Sequence, residues 1–355
     1  MKVLLTNLSQ EDFNYKMKIN KKIFLYFCFL SCTSAPPYKG PKSDHFDGKK
    51  FYNKYNHTTK NFFSFLKWRL NSKKGDWPKW IKNKLSSKPK TREEEKSLTA
   101  TFINHATVLI QIGNVNILTD PIFSRRTSPV SWAGPQRIRK PGVTFENLPP
   151  IDIILISHNH YDHLDIPTLK MLAKRDNPII LSGLGNGLLF KQNGLLNYKD
   201  MDWNDKTIIK GVSLTFLTAQ HWSARGLTDR FQTLWGSFLI ERDGKKVYFA
   251  GDTGYGPHFS EIGDQYGPID LSLLPIGAYK PRWFMKYNHM SPMDAVQAHI
   301  DLKSGQSLAI HFGTFSLGDD SFVDPINDLN LAIKEKTIPS TSFYAPDFGE
   351  IKKIY

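Results

Sequence analysis

From about Thr99 onward, short apolar runs alternate with polar turns at the spacing of β-strands. The stretch "ATVLIQIGNVNILTDP" (106–121) divides into two strands across Gly113-Asn114, a dipeptide suited to the positive backbone angles of a tight hairpin. "IDIILIS" (151–157) and "NPIILSG" (177–183) read as strands separated by a helix at "IPTLKMLAKR" (166–175). Further strands are expected at "VSLTFLTA", "WGSFLIER", "KKVYFAGD", "DLSLLPIG" and "SLAIHFG", with a second hairpin over Asp243-Gly244. "SPMDAVQAHIDL" (291–302) predicts a helix capped by Ser291 with Pro292 at its first position. Many strands, few helices and no repeat of solenoid length predict an α/β fold, two packed sheets with helices outside. Before Thr99 the pattern differs. "NFFSFLKWRL" (61–70) and "DWPKWIKNKL" (76–85) read as short amphipathic helices, packed on the main domain or touching lipid.

At 355 residues and 40% hydrophobic, the chain is long enough to bury a full core. Its formal charge of +14 suggests an anionic partner until the charge is located. The first 100 residues hold 22 Lys and Arg against 8 Asp and Glu, and the remaining 255 hold 25 of each. A body neutral overall argues against a nucleic-acid partner, whose binding would place positive charge around the site. A basic segment near one end fits anionic lipid head groups instead. No run of 18 apolar residues exists to form a membrane-crossing helix. However, "MKINKK" (17–22), "IFLYFCFL" (23–30) and "SCTSAPP" (31–37) have the basic, apolar and small-residue order of a secretory signal, with Met17 a candidate start. "FLSC" resembles a bacterial lipoprotein signal whose cysteine, here Cys32, becomes the lipidated first residue. The organisation expected is a signal over 1–31, a basic extension over 32–98 and a catalytic domain over 99–355. The expected location is the bacterial cell envelope, as a periplasm-facing membrane lipoprotein. Both cysteines, Cys28 and Cys32, lie in or beside the signal, so the body needs neither disulfides nor thiol chemistry.

Directly after the strand "IDIILI" comes "SHNHYDHLD", three histidines and two aspartates where an apolar run ends. In extended backbone His158 and His160 project to one side. They suit one ion, while Asp162 and His163, past the bend, face a second. Imidazole and carboxylate without thiolate suit Zn²⁺, with Fe or Mn also compatible. Three more candidates stand just after strands: His221 in "LTAQHWS", Asp252 in "FAGDTG" and His311 in "LAIHFG". Any one of them alone would pass as structural. Together with HxHxDH they point to a metal centre at converging strand ends. "GLGNGLL" (183–189) lacks the Lys-Ser/Thr of a phosphate-binding loop and carries no such function.

HxHxDH followed by a distant His, Asp and His resembles the metallo-β-lactamase superfamily. "SPVSWAGPQRIRKP", "QHWSARG", "LWGSFLI", "FAGDTGYGPHFSEIG" and "PIGAYKPRWFMKYNHMSP" are similar to its branch that hydrolyses N-acyl-phosphatidylethanolamine as a phospholipase D. The likeness runs from about Thr101 to Phe315. It implies a four-layer αββα sandwich with a two-metal centre at one edge. Carried over position by position, His158, His160 and His221 would hold one zinc. Asp162, His163 and His311 would hold the second, and Asp252 would bridge both. The implied reaction is attack of a metal-activated hydroxide on a phosphodiester, giving N-acylethanolamine and phosphatidic acid. Asp162 would orient the hydroxide, and His289 would touch the phosphate or protonate the leaving oxygen. Asp120 and His105 would support ligands, and Arg282 is a candidate for the phosphate. Trp132, Trp222, Trp283 and Phe284 are candidates to line an acyl-chain groove. The implied partners are a phospholipid, a membrane surface and, from the resemblance alone, a second copy of the chain. The sequence departs from the family at Asn104, where glycine is common, and at Ser131-Trp132. Alternatives are another hydrolase of this superfamily, such as a lactonase, or a lipoprotein that binds metal or lipid without turnover.

Overall fold

In a computed structural model of the chain, residues 34–55, 60 and 62–355 are described. The signal segment, with Cys28 and Cys32, lies outside them. Strands β1 (Leu98–Asn104), β2 (Thr107–Ile112), β3 (Val115–Thr119), β4 (Ile153–Ile156), β5 (Ile179–Gly183) and β6 (Tyr198–Met201) belong to one sheet. Strands β7 (Lys206–Ile209), β8 (Val212–Leu217), β9 (Ser237–Arg242), β10 (Lys245–Phe249), β11 (Ile269–Pro275), β12 (Ser304–Ile310) and β13 (Phe343–Tyr344) form the other, and β14 (Ile351–Ile354) returns to the first. Each sheet has seven strands, in the orders β14-β1-β2-β3-β4-β5-β6 and β13-β12-β11-β10-β9-β8-β7. The two orders match in sense: β14 to β3 and β7 to β10 pair antiparallel, then β3 to β6 and β10 to β13 pair parallel.

The period-two alternation of β4 explains its continuous apolar run. Ile153 and Leu155 join the core between the sheets, and Ile154 and Ile156 join a second core on the outer face. There Leu169 and Leu172 of α2 (Ile166–Asp176) and Leu189 and Phe190 of α3 (Asn186–Gln192) cover them. On the far sheet, α4 (His258–Tyr266), α6 (Pro292–Asp301) and α7 (Asp324–Glu335) bury Phe259, Val296 and Leu329 among others. The result is the four-layer αββα sandwich expected from the sequence. Both hairpins form as expected, at Ile112↔Val115 and Arg242↔Lys245. Ser291 caps α6 reciprocally: its hydroxyl accepts from the Asp294 amide at 3.3 Å, and the Asp294 carboxylate accepts from the Ser291 amide at 2.9 Å.

The extension is built into this body. Phe46 and Phe51 are buried in the same continuous core as Ile153 and Leu155. "NFFSFLKWRL" supplies the expected helix, α1 (Phe62–Asn71), and Trp68 stacks on Phe284 of the short helix α5 (Arg282–Met285) with centroids 5.0 Å apart. The helix expected over "DWPKWIKNKL" is absent, and the segment is an irregular strap. Its hydrogen bonds go outward instead: the Ile81 amide donates to Ile138, the Asn83 side chain to Lys140 and the Trp77 indole to Asp320. Pro78 also biases Trp77 away from helical backbone.

Candidate metal centre

Parallel pairing of β3 with β4 and of β10 with β11 and β12 brings their C-terminal ends to one edge of each sheet. Asp120 follows β3, the loop 157–165 follows β4, Asp252 follows β10 and His311 follows β12. His221 follows β8, which runs parallel to β10 because each is antiparallel to β9. The chain turns sharply at these ends. His105, Asp120 and His311 have φ of +48°, +32° and +60°, a region that costs a non-glycine residue about 1–3 kcal/mol. Gly251, at φ +60°, precedes Asp252; a Cβ there would lie 2.4 Å from that of Ser157, so glycine lets the two ligand loops meet.

All seven predicted metal ligands converge. Nε2 of His158 lies 2.8 Å from Nδ1 of His160, and Nε2 of His221 lies 3.3 Å from that same Nδ1. A second group forms around Oδ2 of Asp162, which is 3.3 Å from Nε2 of both His163 and His311. Oδ2 of Asp252 is 3.2 Å from Nε2 of His163 and of His311, and 3.9 Å from Nε2 of His221, so it reaches both groups. His105 joins the second group, its Nε2 lying 3.0 Å from Asp162. His289 lies to one side, Nδ1 3.7 Å from Asp252 Oδ2.

Partners behind the imidazoles decide which nitrogen faces inward. The Asp120 carboxylate accepts from Nδ1 of His163 at 2.6 Å and from the Ser157 amide and hydroxyl at 2.8 and 2.6 Å. The Asn288 carbonyl accepts from Nδ1 of His221 at 2.9 Å. The Ser157 hydroxyl lies 2.9 Å from Nδ1 of His158. Two supporting residues had no signal in motif spacing. Asn53, in the extension, accepts from the His221 amide and donates to the His221 carbonyl, both at 2.9 Å. Arg225 donates to the carbonyls of Asn159 and Leu164 at 2.9 and 2.8 Å, spanning the ligand loop from inside, and stacks on Tyr161. Arg282 donates to the His289 carbonyl at 2.8 Å and pairs with Asp294 at 2.6 Å. It therefore braces His289, with two of its five N–H donors used in these bonds.

The electrostatics are those of a site built for a cation. Burial lowers the pKa of His158 and His221, and that of His160 to about 3, so each ring is neutral at pH 7 and offers one nitrogen lone pair. Burial opposes ionisation of Asp162 and Asp252, yet the histidines around them outweigh it and hold both carboxylates charged. Burial likewise opposes charge on His163, but Asp252, Asp162 and Asp120 raise its pKa. Nε2 of His163 and Oδ1 of Asp252 are buried with no hydrogen bond among the described residues. The Asp252 lone pair is costly to bury unless it faces a cation, and Nε2 of His163, protonated in the metal-free protein, becomes a donor to a cation once that proton is displaced. Hard and borderline donors converging without thiolate fit a divalent metal.

A cavity of about 580 Å³ opens onto His160, Asp162, Asp252 and His289. Trp222, Phe65, Trp68, Leu227, Phe284, Met285 and Leu317 make much of its wall. Of the four aromatics expected there, Trp222 and Phe284 line it. Trp283 and Trp132 do not; Trp132 stands 71% exposed on the surface.

A model of the beta-lactamase superfamily domain matches residues 115–312. N-acyl-phosphatidylethanolamine-hydrolyzing phospholipase D 1 of Caenorhabditis elegans is 36% identical over 271 residues, covering 72% of this chain and 76% of the relative. The mitochondrial enzyme of the same description from Saccharomyces cerevisiae is 35% identical over 243 residues, 66% of this chain and about half (52%) of that relative. Among solved structures, a metallo hydrolase from Ignicoccus hospitalis superposes with a TM-score of 0.55 at 21% identity, over 73% of this chain and 99% of its own. Fold and site together define a metal-dependent hydrolase. The chain belongs to the metallo-β-lactamase superfamily, in the branch of the N-acyl-phosphatidylethanolamine-hydrolysing phospholipases D.

Proposed function

We propose that this protein is a zinc-dependent phosphodiesterase that cleaves N-acyl-phosphatidylethanolamine, or a related phospholipid, to an N-acylethanolamine and phosphatidic acid. The observation that carries this reading is the reach of Asp252 Oδ2 to both histidine groups at the floor of an apolar cavity. His158, His160 and His221 would hold one zinc; Asp162, His163 and His311 the other; Asp252 both. Two such ions, when bound, bring the pKa of a water toward neutrality and take up charge on phosphoryl oxygens. The chain's own groups supply the rest. Asp162 Oδ2, steadied by His105 at 3.0 Å, orients the attacking water. His289, whose pKa burial lowers to about 4, is neutral at pH 7 in the metal-free protein. That suits a hydrogen bond to a phosphoryl or leaving oxygen more than a resident proton. Trp222, Phe284 and Leu227 receive acyl chains and keep bulk water away.

The test is to offer the purified full chain N-acyl-phosphatidylethanolamine and plain phosphatidylethanolamine in detergent micelles and to read products by mass spectrometry. Release of N-acylethanolamine that Asp252→Asn and His160→Ala abolish is expected. No release, or release that survives these changes, overturns the reading. The envelope location rests on the "FLSC" pattern and is proposed separately; a Cys32→Ala chain that still takes up labelled palmitate refutes it. A homodimer rests on the family likeness, and sedimentation of the detergent-solubilised chain tests it.

A further inference from the structure

Two cations on the wall of the cavity beside the metal ligands have no carboxylate partner among the described residues. Arg230 and Lys60 both line it. The Arg230 guanidinium lies over the Trp222 ring at 4.5 Å and the Phe231 ring at 4.8 Å. Trp222 in turn meets the His160 ring edge-on, centroids 4.3 Å apart. One indole thus touches both the guanidinium and a metal ligand. Nη1 of Arg230 donates to the Lys60 carbonyl at 2.9 Å, while its Nε is buried without a hydrogen-bond partner. Among the described residues no carboxylate lies within 4.0 Å of Arg230 or of the Lys60 ammonium. The Lys60 ammonium lies over the rings of Trp283 and Tyr287, at 5.9 and 5.6 Å. The cavity's own acids, Asp162 and Asp252, are engaged by histidines. A partly desolvated guanidinium with a spare donor and no counter-ion is unfavourable on its own and selects an anion that arrives with the ligand.

We propose that Arg230, backed by Trp222 and Lys60, forms a second anion subsite, apart from the metal ligands, that binds an acidic group of the lipid. This rests on the phospholipid reading above and narrows it. The phosphodiester belongs at the metal ligands. The anion on Arg230 is then either a head-group carboxylate, as in N-acyl-phosphatidylserine, or the cleaved phosphate once it has left the metal ligands as the monoester of phosphatidic acid. A charge-assisted bond of this kind is worth about tenfold or more.

Two arms separate these sources. In neutral mixed micelles, kcat/KM for N-acyl-phosphatidylserine is compared with that for N-acyl-phosphatidylethanolamine in wild type, Arg230→Gln and Arg230→Lys. Calorimetry follows binding of dihexanoyl phosphatidic acid to the same proteins, checked for equal metal content. A wild-type preference of about tenfold for the serine lipid, lost in Arg230→Gln and largely kept in Arg230→Lys, places the anion on the substrate. An unchanged ratio with about tenfold weaker phosphatidic acid binding in Arg230→Gln places it on the product. If neither quantity moves by more than about twofold, against the tenfold expected, the subsite is refuted. Should no lipid be hydrolysed at all, the phosphodiesterase reading falls, and the calorimetric arm still decides Arg230.

Discussion

Asn53 offers the sharpest test of how far the metal centre extends. It precedes His221 by 168 positions, yet its amide closes two hydrogen bonds on the backbone of that residue, both 2.9 Å long. Its Oδ1 also accepts from the Trp235 indole at 3.2 Å, though that indole keeps the Ala219 carbonyl at 3.0 Å. Asn53→Ala therefore strands one N–H and one C=O of a fully buried residue. At about 1–3 kcal/mol each, the loss of unfolding free energy is about 2–6 kcal/mol. Freed backbone also lets the imidazole drift, and loss of such an indirect support weakens metal affinity about 10–100-fold. Guanidinium unfolding in chelator measures the first effect, and zinc competition against a chromophoric chelator the second. Asn53→Asp keeps the acceptor but loses the donor, and should fall between. Midpoint and affinity both within error of wild type would refute the reasoning. So would a stability loss with unchanged affinity, because the disturbance would then stop short of the imidazole.

Asp120→Asn removes the carboxylate that fixes Nδ1 of His163 and should weaken zinc binding about 10–100-fold in the same competition assay. Asp252→Asn should leave the fold intact but cut bound metal, measured by mass spectrometry of the purified protein, since both ligand groups lose a shared oxygen. Trp222→Ala opens the apolar wall and should raise KM for the lipid about tenfold, in line with the burial of one large apolar side chain; an unchanged KM places the acyl chains elsewhere. His45 clasps the extension to the body, its ring nitrogens 2.6 Å from Asp44 and 2.7 Å from Asp202. Burial opposes its charge, but the two aspartates raise the pKa above 6.5. A raised folded pKa adds stability that is complete below pH 6.5 and lost as pH climbs through the folded value. The denaturation midpoint gap between wild type and His45→Gln should therefore shrink from about pH 6 to pH 9, and a constant gap would contradict the clasp.

The ligands are legible in the sequence because each terminates an apolar strand, where a polar side chain has no packing reason to be. Strand ends gather at one edge of a parallel sheet, so position in the pattern carries spatial information. The supports are hidden for the opposite reason. Asn53 and Arg225 act on backbone carbonyls and amides, which every residue has, so no pairing of side-chain types marks them. The charge of Arg282 points to phosphate, but its partners, the His289 carbonyl and Asp294, become visible only once α5 and α6 are placed. The strap over 76–85 has helix-like periodicity, yet tertiary hydrogen bonds to residues 138, 140 and 320 override a weak local preference. Strands β1 and β14 pair with each other from the two ends of the catalytic domain, and that closure has no local signature.

The matching strand orders of the two sheets also bear on how the protein acquires its metal. The first half of the chain holds four donors within six positions, His158 to His163, and these remain neighbours even in an unfolded chain. Donors so close in sequence can meet a divalent cation before the rest of the chain has folded. The second half contributes three donors singly, and Asp162 and His311 are 149 positions apart. Bringing them together requires long-range closure of both sheets, the slow kind of contact to form. Only binding to the folded state in excess of binding to the unfolded one adds stability, at about 1.4 kcal/mol per tenfold excess of cation. The compact motif thus gives the cation a foothold from the outset, while His221, Asp252 and His311 make its tight binding a reward reserved for the finished fold.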